Sequence, residues 1–185
     1  VPPFTQKAIE PGQSFTYEFT ASPAGSFMYH SHVETDKQIP LGLYAPFIID
    51  PVERPAAAPA VDKVLMLSEV RIGDDGQTYA AMPMAGAEPN YFTINGKSFP
   101  DTEKIQVKRG EVVRLRLENI GQFTHPMHLH GAFFKIVATD GNPVPPAAQL
   151  TKDTGAVNPC ERYDIEFVAD NRGTWVLHCH DLHHV

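Results

Sequence analysis

Between Gln13 and Ala21 the apolar side chains Phe15, Tyr17 and Phe19 alternate with polar ones. A period of two places all three on one face of an extended chain, so the stretch predicts a half-buried strand. Ser26 to His32 and Leu43 to Asp50 read as two more, the latter almost continuously apolar. Pro51 to Asp62, with three prolines and four alanines, reads as a linker. Asp62 to Val70 then opens a second set of strands, followed by an Asp74-Asp75-Gly76 turn and a loop over Ala80 to Pro89 that contains Met82-Pro83-Met84. Asn95-Gly96 is a hairpin signal, because both positions of its turn need a positive φ. Glu111 to Glu118 alternates Val113, Leu115 and Leu117 with Arg114 and Arg116, which assigns the arginines to a solvated strand face. Phe133 to Thr139, Arg162 to Val168 and Gly173 to His178 complete a seven- or eight-stranded sandwich after the linker, with Trp175 in its core.

The pattern is all-β, and 17 prolines and 13 glycines among 185 residues supply the turns that many short strands need. Residues 1–50 read as a partial first domain, 51–62 as the linker and 63–185 as a second domain. Fifty residues with three strands are about half of a sandwich of roughly 100 residues, so the first segment should expose an unpaired edge. The net charge of −7, with 15 scattered Lys and Arg, argues against a nucleic-acid partner. No apolar stretch approaches the roughly 20 residues that span a bilayer, and no signal peptide is visible.

The chemistry sits in the histidines. All nine fall in three clusters: His30-Ser31-His32, His125-Pro126-Met127-His128-Leu129-His130, and His178-Cys179-His180-Asp181-Leu182-His183-His184. On a strand, residues i and i+2 share a face, so His178 and His180 point one way and Cys179 the other. One peptide can thus serve two metal centres. Cys179 with His125 and His184 makes a Cys-plus-two-His set, the ligand set of a blue-copper electron-transfer site. Opposite it, His178 and His180 can join His30, His32, His128 and His130 in a histidine-only site. Zinc is the rival metal, but structural zinc sites pair cysteines at short spacing, and Cys160 is the one cysteine besides Cys179. Cys160 reads as a free thiol in a turn, His183 as a ring that faces solvent or backs the ligands, and Asp181 equally as a partner of a ligating histidine or as a solvated carboxylate.

These motifs resemble the multicopper oxidases, the family that includes laccases. His-Pro-Met-His-Leu-His-Gly at 125–131 and His-Cys-His-x-x-x-His at 178–184 are similar to its third and fourth copper motifs, and Tyr29-His30-Ser31-His32 to its second. Flanking stretches agree, among them Gly42-Leu43-Tyr44, Ile94-Asn95-Gly96-Lys97-Ser98-Phe99-Pro100 and Glu161-Arg162-Tyr163-Asp164-Ile165-Glu166-Phe167. The resemblance implies two cupredoxin-like Greek-key β-sandwich domains, the first truncated. It assigns type 1 copper to His125, Cys179 and His184, type 2 copper to His128, and the type 3 pair to His30, His32, His130, His178 and His180. The family's first motif, His-Trp-His-Gly, does not occur, and its axial Met or Leu would fall after Val185, so the sequence reads as a fragment.

The passage from second motif to linker to third motif resembles the two-domain members, which form trimers with the histidine cluster between subunits. The activity implied is that of a laccase-type oxidase. A phenolic or aromatic amine substrate gives single electrons at the exposed edge of His184 or His125, Cys179 passes them to His178 and His180, and dioxygen is reduced to water. The resemblance implies a periplasmic or secreted location. The alternative is a copper-binding electron-transfer module that lacks two cluster ligands and reduces no oxygen. A copper nitrite reductase is disfavoured, since its catalytic copper needs one histidine set and here the His-x-His motifs are doubled.

Overall fold

The computed structural model describes residues 1–53, 58–79 and 88–184. Its elements are β1 (Gly25–His30), a single helical turn α1 (Thr35–Gln38), β2 (Tyr44–Ile49), β3 (Val61–Ile72), β4 (Thr78–Tyr79), β5 (Tyr91–Ile94), β6 (Val112–Asn119), β7 (His125–Leu129), β8 (Phe134–Thr139), β9 (Asn142–Pro143), β10 (Thr151–Lys152), β11 (Thr154–Val157), β12 (Arg162–Val168) and β13 (Leu177–Cys179). β1 and β2 form an antiparallel pair, Gly25 opposite Ile49 and His30 opposite Tyr44. The larger sheet runs β10-β8-β12-β6-β3-β4, with β5 also on β3 and β9 on β8. A second sheet runs β11-β7-β13. The β3–β6 pairing is parallel, and the other pairings are antiparallel.

Alternation builds the core. Val113, Leu115 and Leu117 of β6 point inward with Leu65 and Leu67 of β3 and Ile165 of β12, and they meet Met127, Leu129 and Cys179 from the smaller sheet, with Phe134 and Val157 between. At about 25 cal/mol per Å² of apolar surface removed from water, this packing is the main force holding the two sheets face to face. The smaller sheet is therefore fixed on its inner side, and that is the side from which Cys179 and His125 project.

Several expectations hold, and some do not. The Asn95-Gly96 turn closes with Ile94 and Lys97 hydrogen-bonded to each other at 2.9 and 3.2 Å, φ being 53° and 74° at its centre. Gly73 and Gln77 close the turn over Asp74-Asp75-Gly76. Among the described residues, eight strands of three or more residues follow Ala60. β3 begins at Val61, inside the stretch read as linker, because Val61 pairs with Val113; residues 54–57 of that stretch, and 80–87 of the Ala80–Pro89 loop with its Met82-Pro83-Met84, lie outside the described residues.

The strand expected over Gln13–Ala21 does not form: Phe15, Tyr17 and Phe19 are half or more exposed, and no ladder partner runs beside them among the described residues. A period of two shows which face a strand would bury, but the strand itself needs a neighbour's backbone to bond with. The first segment thus holds two strands, not three. Of Gly173–His178, strand pairing begins only at Leu177.

The arginine face is also corrected. Arg116 is 8% exposed, not solvated. Its guanidinium donates to Asp62 at 2.7 Å through both Nε and Nη2, and its Nη1 donates to Ser26 Oγ at 2.8 Å and Asp164 at 3.3 Å. Arg114 pairs with Glu166. Ser26 belongs to β1 and in turn donates to Asp164 at 2.7 Å, while Arg162 Nε donates to the Ser26 carbonyl. The first segment therefore covers this face and is clamped to it by hydrogen bonds between Ser26 and charged groups. Glu118, next along the same face, is fully buried, and both of its carboxylate oxygens lack a hydrogen-bond partner among the described residues. Burial first, then Asp164, against the pull of Arg162 and Arg116, raises its pKa to about 7.

Candidate metal centre

β7 lies between β11 and β13, and its burial alternates: His125, Met127 and Leu129 inward, Pro126 and His128 outward. The odd spacing from His125 to His128 puts the two rings on opposite faces. β13 pairs with β7 so that His178 stands opposite His128 and Cys179 opposite Met127. Register and alternation together set a thiol and one imidazole on the core side and a group of imidazoles on the other. After His130 the chain turns at Gly131, φ 78°, where an added Cβ would collide with the Trp175 ring. Trp175 is thus not core: it is 47% exposed, lies over Gly131 and donates through Nε1 to the Asn171 carbonyl at 3.0 Å.

On the inner face one donor atom each from His125, Cys179 and His184 lies within 4.8 Å of the others. Cys179 Sγ is 3.5 Å from His184 Nδ1, and the Asp181 backbone N–H donates to the same sulfur at 3.5 Å. Metal bonds of about 2.0–2.3 Å to nitrogen and sulfur bring three donors to roughly this spacing, so the set fits a single ion with little movement. A thiolate with two imidazoles is the trigonal set that favours copper in electron transfer. Phe92 stacks on His184 at 4.0 Å with 22° between planes, and Phe123 meets it edge-on at 5.8 Å.

Burial alone would lower the His125 pKa, but hydrogen bonds with Cys179 and Glu69 outweigh it and hold the value up at about 9. Burial lowers that of His184 despite Asp181, with His125 acting in the same direction. Asp181 thus stands beside the ligand set: Oδ2 is 3.8 Å from His184 Nε2, and Oδ1 accepts from the His183 backbone. His183 itself is exposed, as is the free thiol of Cys160, whose φ of 69° explains why a turn here suits glycine.

The expected exposed edge is absent at both His125 and His184. His125 is 3% exposed and the His184 side chain 5%, because the aromatic cover closes over them.

On the outer face His128, His130, His178 and His180 gather, with ring centroids 4.6 Å apart for 128 and 130, 5.5 Å for 128 and 180, 5.2 Å for 130 and 178, and 5.6 Å for 178 and 180. His128 Nδ1 bonds Thr154 Oγ1 at 2.8 Å, and His178 Nδ1 the Cys179 carbonyl at 2.7 Å, which leaves each Nε2 facing out. His130 Nε2 and His178 Nε2 are 3.0 Å apart. Desolvation and the three neighbouring rings lower the His130 pKa. His30 and His32, at the end of β1, stack on each other at 4.8 Å; among the described residues no ring contact joins them to the other four. The structure therefore brings together four of the six histidines expected on this side. Val185 lies outside the described residues. Sequence reasoning missed Glu69, whose carboxylate backs His125; a strand residue 56 positions from its partner carries no motif.

Two family profiles, both described as multicopper oxidase, match residues 75–185 and 1–54. A multicopper oxidase of Mycobacterium tuberculosis is 38% identical over 93 residues, half of this chain and 18% of the relative. Copper resistance protein A of Pseudomonas syringae pv. tomato is 34% identical over 94 residues, 51% of this chain and 15% of the relative. The chain thus spans about a fifth or less of these relatives' length. The solved blue copper oxidase of Nitrosomonas europaea is 39% identical, with a TM-score of 0.89, across 100% of this chain and 58% of that one. With its cupredoxin-like all-β fold, its copper-type donor sets and profile matches over more than half its length, the chain belongs to the multicopper oxidase family.

Proposed function

We propose that the chain is the type 1 copper part of a laccase-like oxidase, which couples one-electron oxidation of phenols or aromatic amines to the four-electron reduction of dioxygen. The observation that carries this reading is the placement of Cys179 between His178 and His180, sulfur inward and imidazoles outward. Copper, when bound, would supply the one-electron steps and the oxygen chemistry. His125, Cys179 and His184 would hold the type 1 ion. His128 serves type 2 copper, and His30, His32, His130, His178 and His180 the type 3 pair. Two covalent paths, from Cys179 through the backbone to each flanking histidine, join the faces and would serve electron transfer between ions held there. Phe92, half-buried and stacked on His184, is the surface a reducing aromatic substrate meets, since neither imidazole is open. Phe92 and Phe123 keep water from the inner donors.

The outer group is completed by histidines of another chain. The four gathered rings are open to solvent or partly so, and among the described residues no ring contact joins His30 and His32 to them. A homotrimer of two-domain subunits, with the cluster at the subunit contact, fits this arrangement. The first unit covers 1–50 and the linker runs from 51 to the start of β3 at Val61, where the second unit begins, and the location is periplasmic or secreted, as the family resemblance implies. Among the described residues no helix is long and apolar enough to cross a membrane.

The separation of His30 and His32 from the other rings favours a second reading, an electron-transfer module that reduces no oxygen. Oxygen uptake by the copper-loaded protein with a phenolic donor decides between them. The oxidase consumes one dioxygen per four electrons delivered. A protein whose type 1 centre is reduced by the donor without oxygen uptake is the module.

A further inference from the structure

We propose that Glu69 is a positioning residue of the inner centre, one that holds the His125 ring from behind and sets how strongly that ring donates to a metal. The inference rests on the type 1 reading of His125, Cys179 and His184. Glu69 lies near the end of β3 and is 2% exposed. Its Oε1 accepts from the Gln122 backbone N–H, and its Oε2 lies 3.4 Å from His125 Nε2. With Oε1 already accepting one N–H, Oε2 is placed to accept a second from His125 Nε2. Nδ1 is then left for the side of Cys179, which shares the donor set with His125 and His184.

The loop before β7 is shaped around this carboxylate. Gly121 approaches it so closely that a Cβ at that position would fall on the Glu69 side chain. Asn119 Oδ1 accepts from the Gly121 N–H at 2.9 Å, and the next N–H, from Gln122, points at Glu69. Two elements, the loop and the ring, therefore converge on one buried anion. A carboxylate accepting the far N–H of a ligating imidazole raises that ring's basicity and fixes its orientation. It also places a negative charge close to the metal where screening by water is weak. Both effects favour the oxidised ion over the reduced one.

Glu69→Gln removes the charge and keeps the shape. In the copper-loaded protein it should weaken binding of the oxidised ion about 10–100-fold with little change for the reduced ion. Each factor of ten in that ratio raises the reduction potential by about 59 mV. The readouts are the potential, from a redox titration of the visible thiolate-to-copper band, and the rate of copper loss to a chelator. A wild-type potential in Glu69→Gln overturns the proposal while leaving the type 1 reading intact. Absence of the band in the wild type removes that reading, and Glu69's role with it. If Glu69→Gln does not fold, Glu69→Asp decides: its shortened reach should also raise the potential, and an unshifted value refutes the role.

Discussion

The two faces of β7 and β13 both present metal-ligating side chains and reach different ends. Inward, His125 is joined by Cys179 and His184 in a closed set under Phe92 and Phe123. Outward, His128, His130, His178 and His180 gather without His30 and His32. On the inner side Cys179 is packed in the hydrophobic core, His125 is backed by Glu69 and His184 is stacked on Phe92. The outer side has only hydrogen bonds such as His128 to Thr154 and His178 to the Cys179 carbonyl to orient its rings. On the inner side three donors meet within one chain, whereas the four outer rings lie at or near the surface.

Removing the inner sulfur should break the comparison most completely. Cys179→Ser is expected to abolish the visible thiolate-to-copper band while copper still binds the outer histidines, as absorbance and metal analysis on one sample will show. The complementary change, His178→Ala with His180→Ala, should leave the band and remove the copper held beyond the first ion per chain. If the band disappears as well, the faces are not independent.

The clamp between the first segment and the larger sheet comes next. Arg116→Met leaves Asp62, Asp164 and Ser26 without their shared donor. Taking one partner from such a largely buried network should cost about 3–5 kcal/mol in chemical denaturation. A loss under about 1 kcal/mol would mean that the network is screened as a surface pair is.

Glu118 sharpens the same boundary with a smaller effect. Its pKa is raised from 4.5 to about 7, so the folded state holds the proton more tightly than the unfolded one. The stabilisation is fully present below about pH 4.5, declines as pH rises, and is lost above about pH 7. Its size is about 3 kcal/mol, at 1.36 kcal/mol per pKa unit. Glu118→Gln should flatten this part of the stability profile measured by melting between pH 4.5 and 8.

How much of this was legible in the sequence depends on whether a residue's role was local. Cys179 between two histidines, and the odd spacing from His125 to His128, fix opposite faces on any strand. The alternation of Val113, Leu115 and Leu117 likewise located the core. What alternation cannot reveal is what covers the other face: Arg116 is buried because β1 arrives from 90 positions away. Phe15, Tyr17 and Phe19 had a strand's pattern and no strand beside them. Trp175 looked like core by type, yet the close approach of Gly131 holds it at the surface. Glu69 gave no signal, since its function arises only where β3 passes behind β7.

The most direct test of the account is an electron paramagnetic resonance spectrum of the copper-loaded protein, with total copper quantified on the same sample. The account predicts a narrow-split type 1 signal of one copper per chain that persists when His178 and His180 are replaced and vanishes in Cys179→Ser. Copper that gives only a broad-split signal, unchanged by Cys179→Ser, would contradict it.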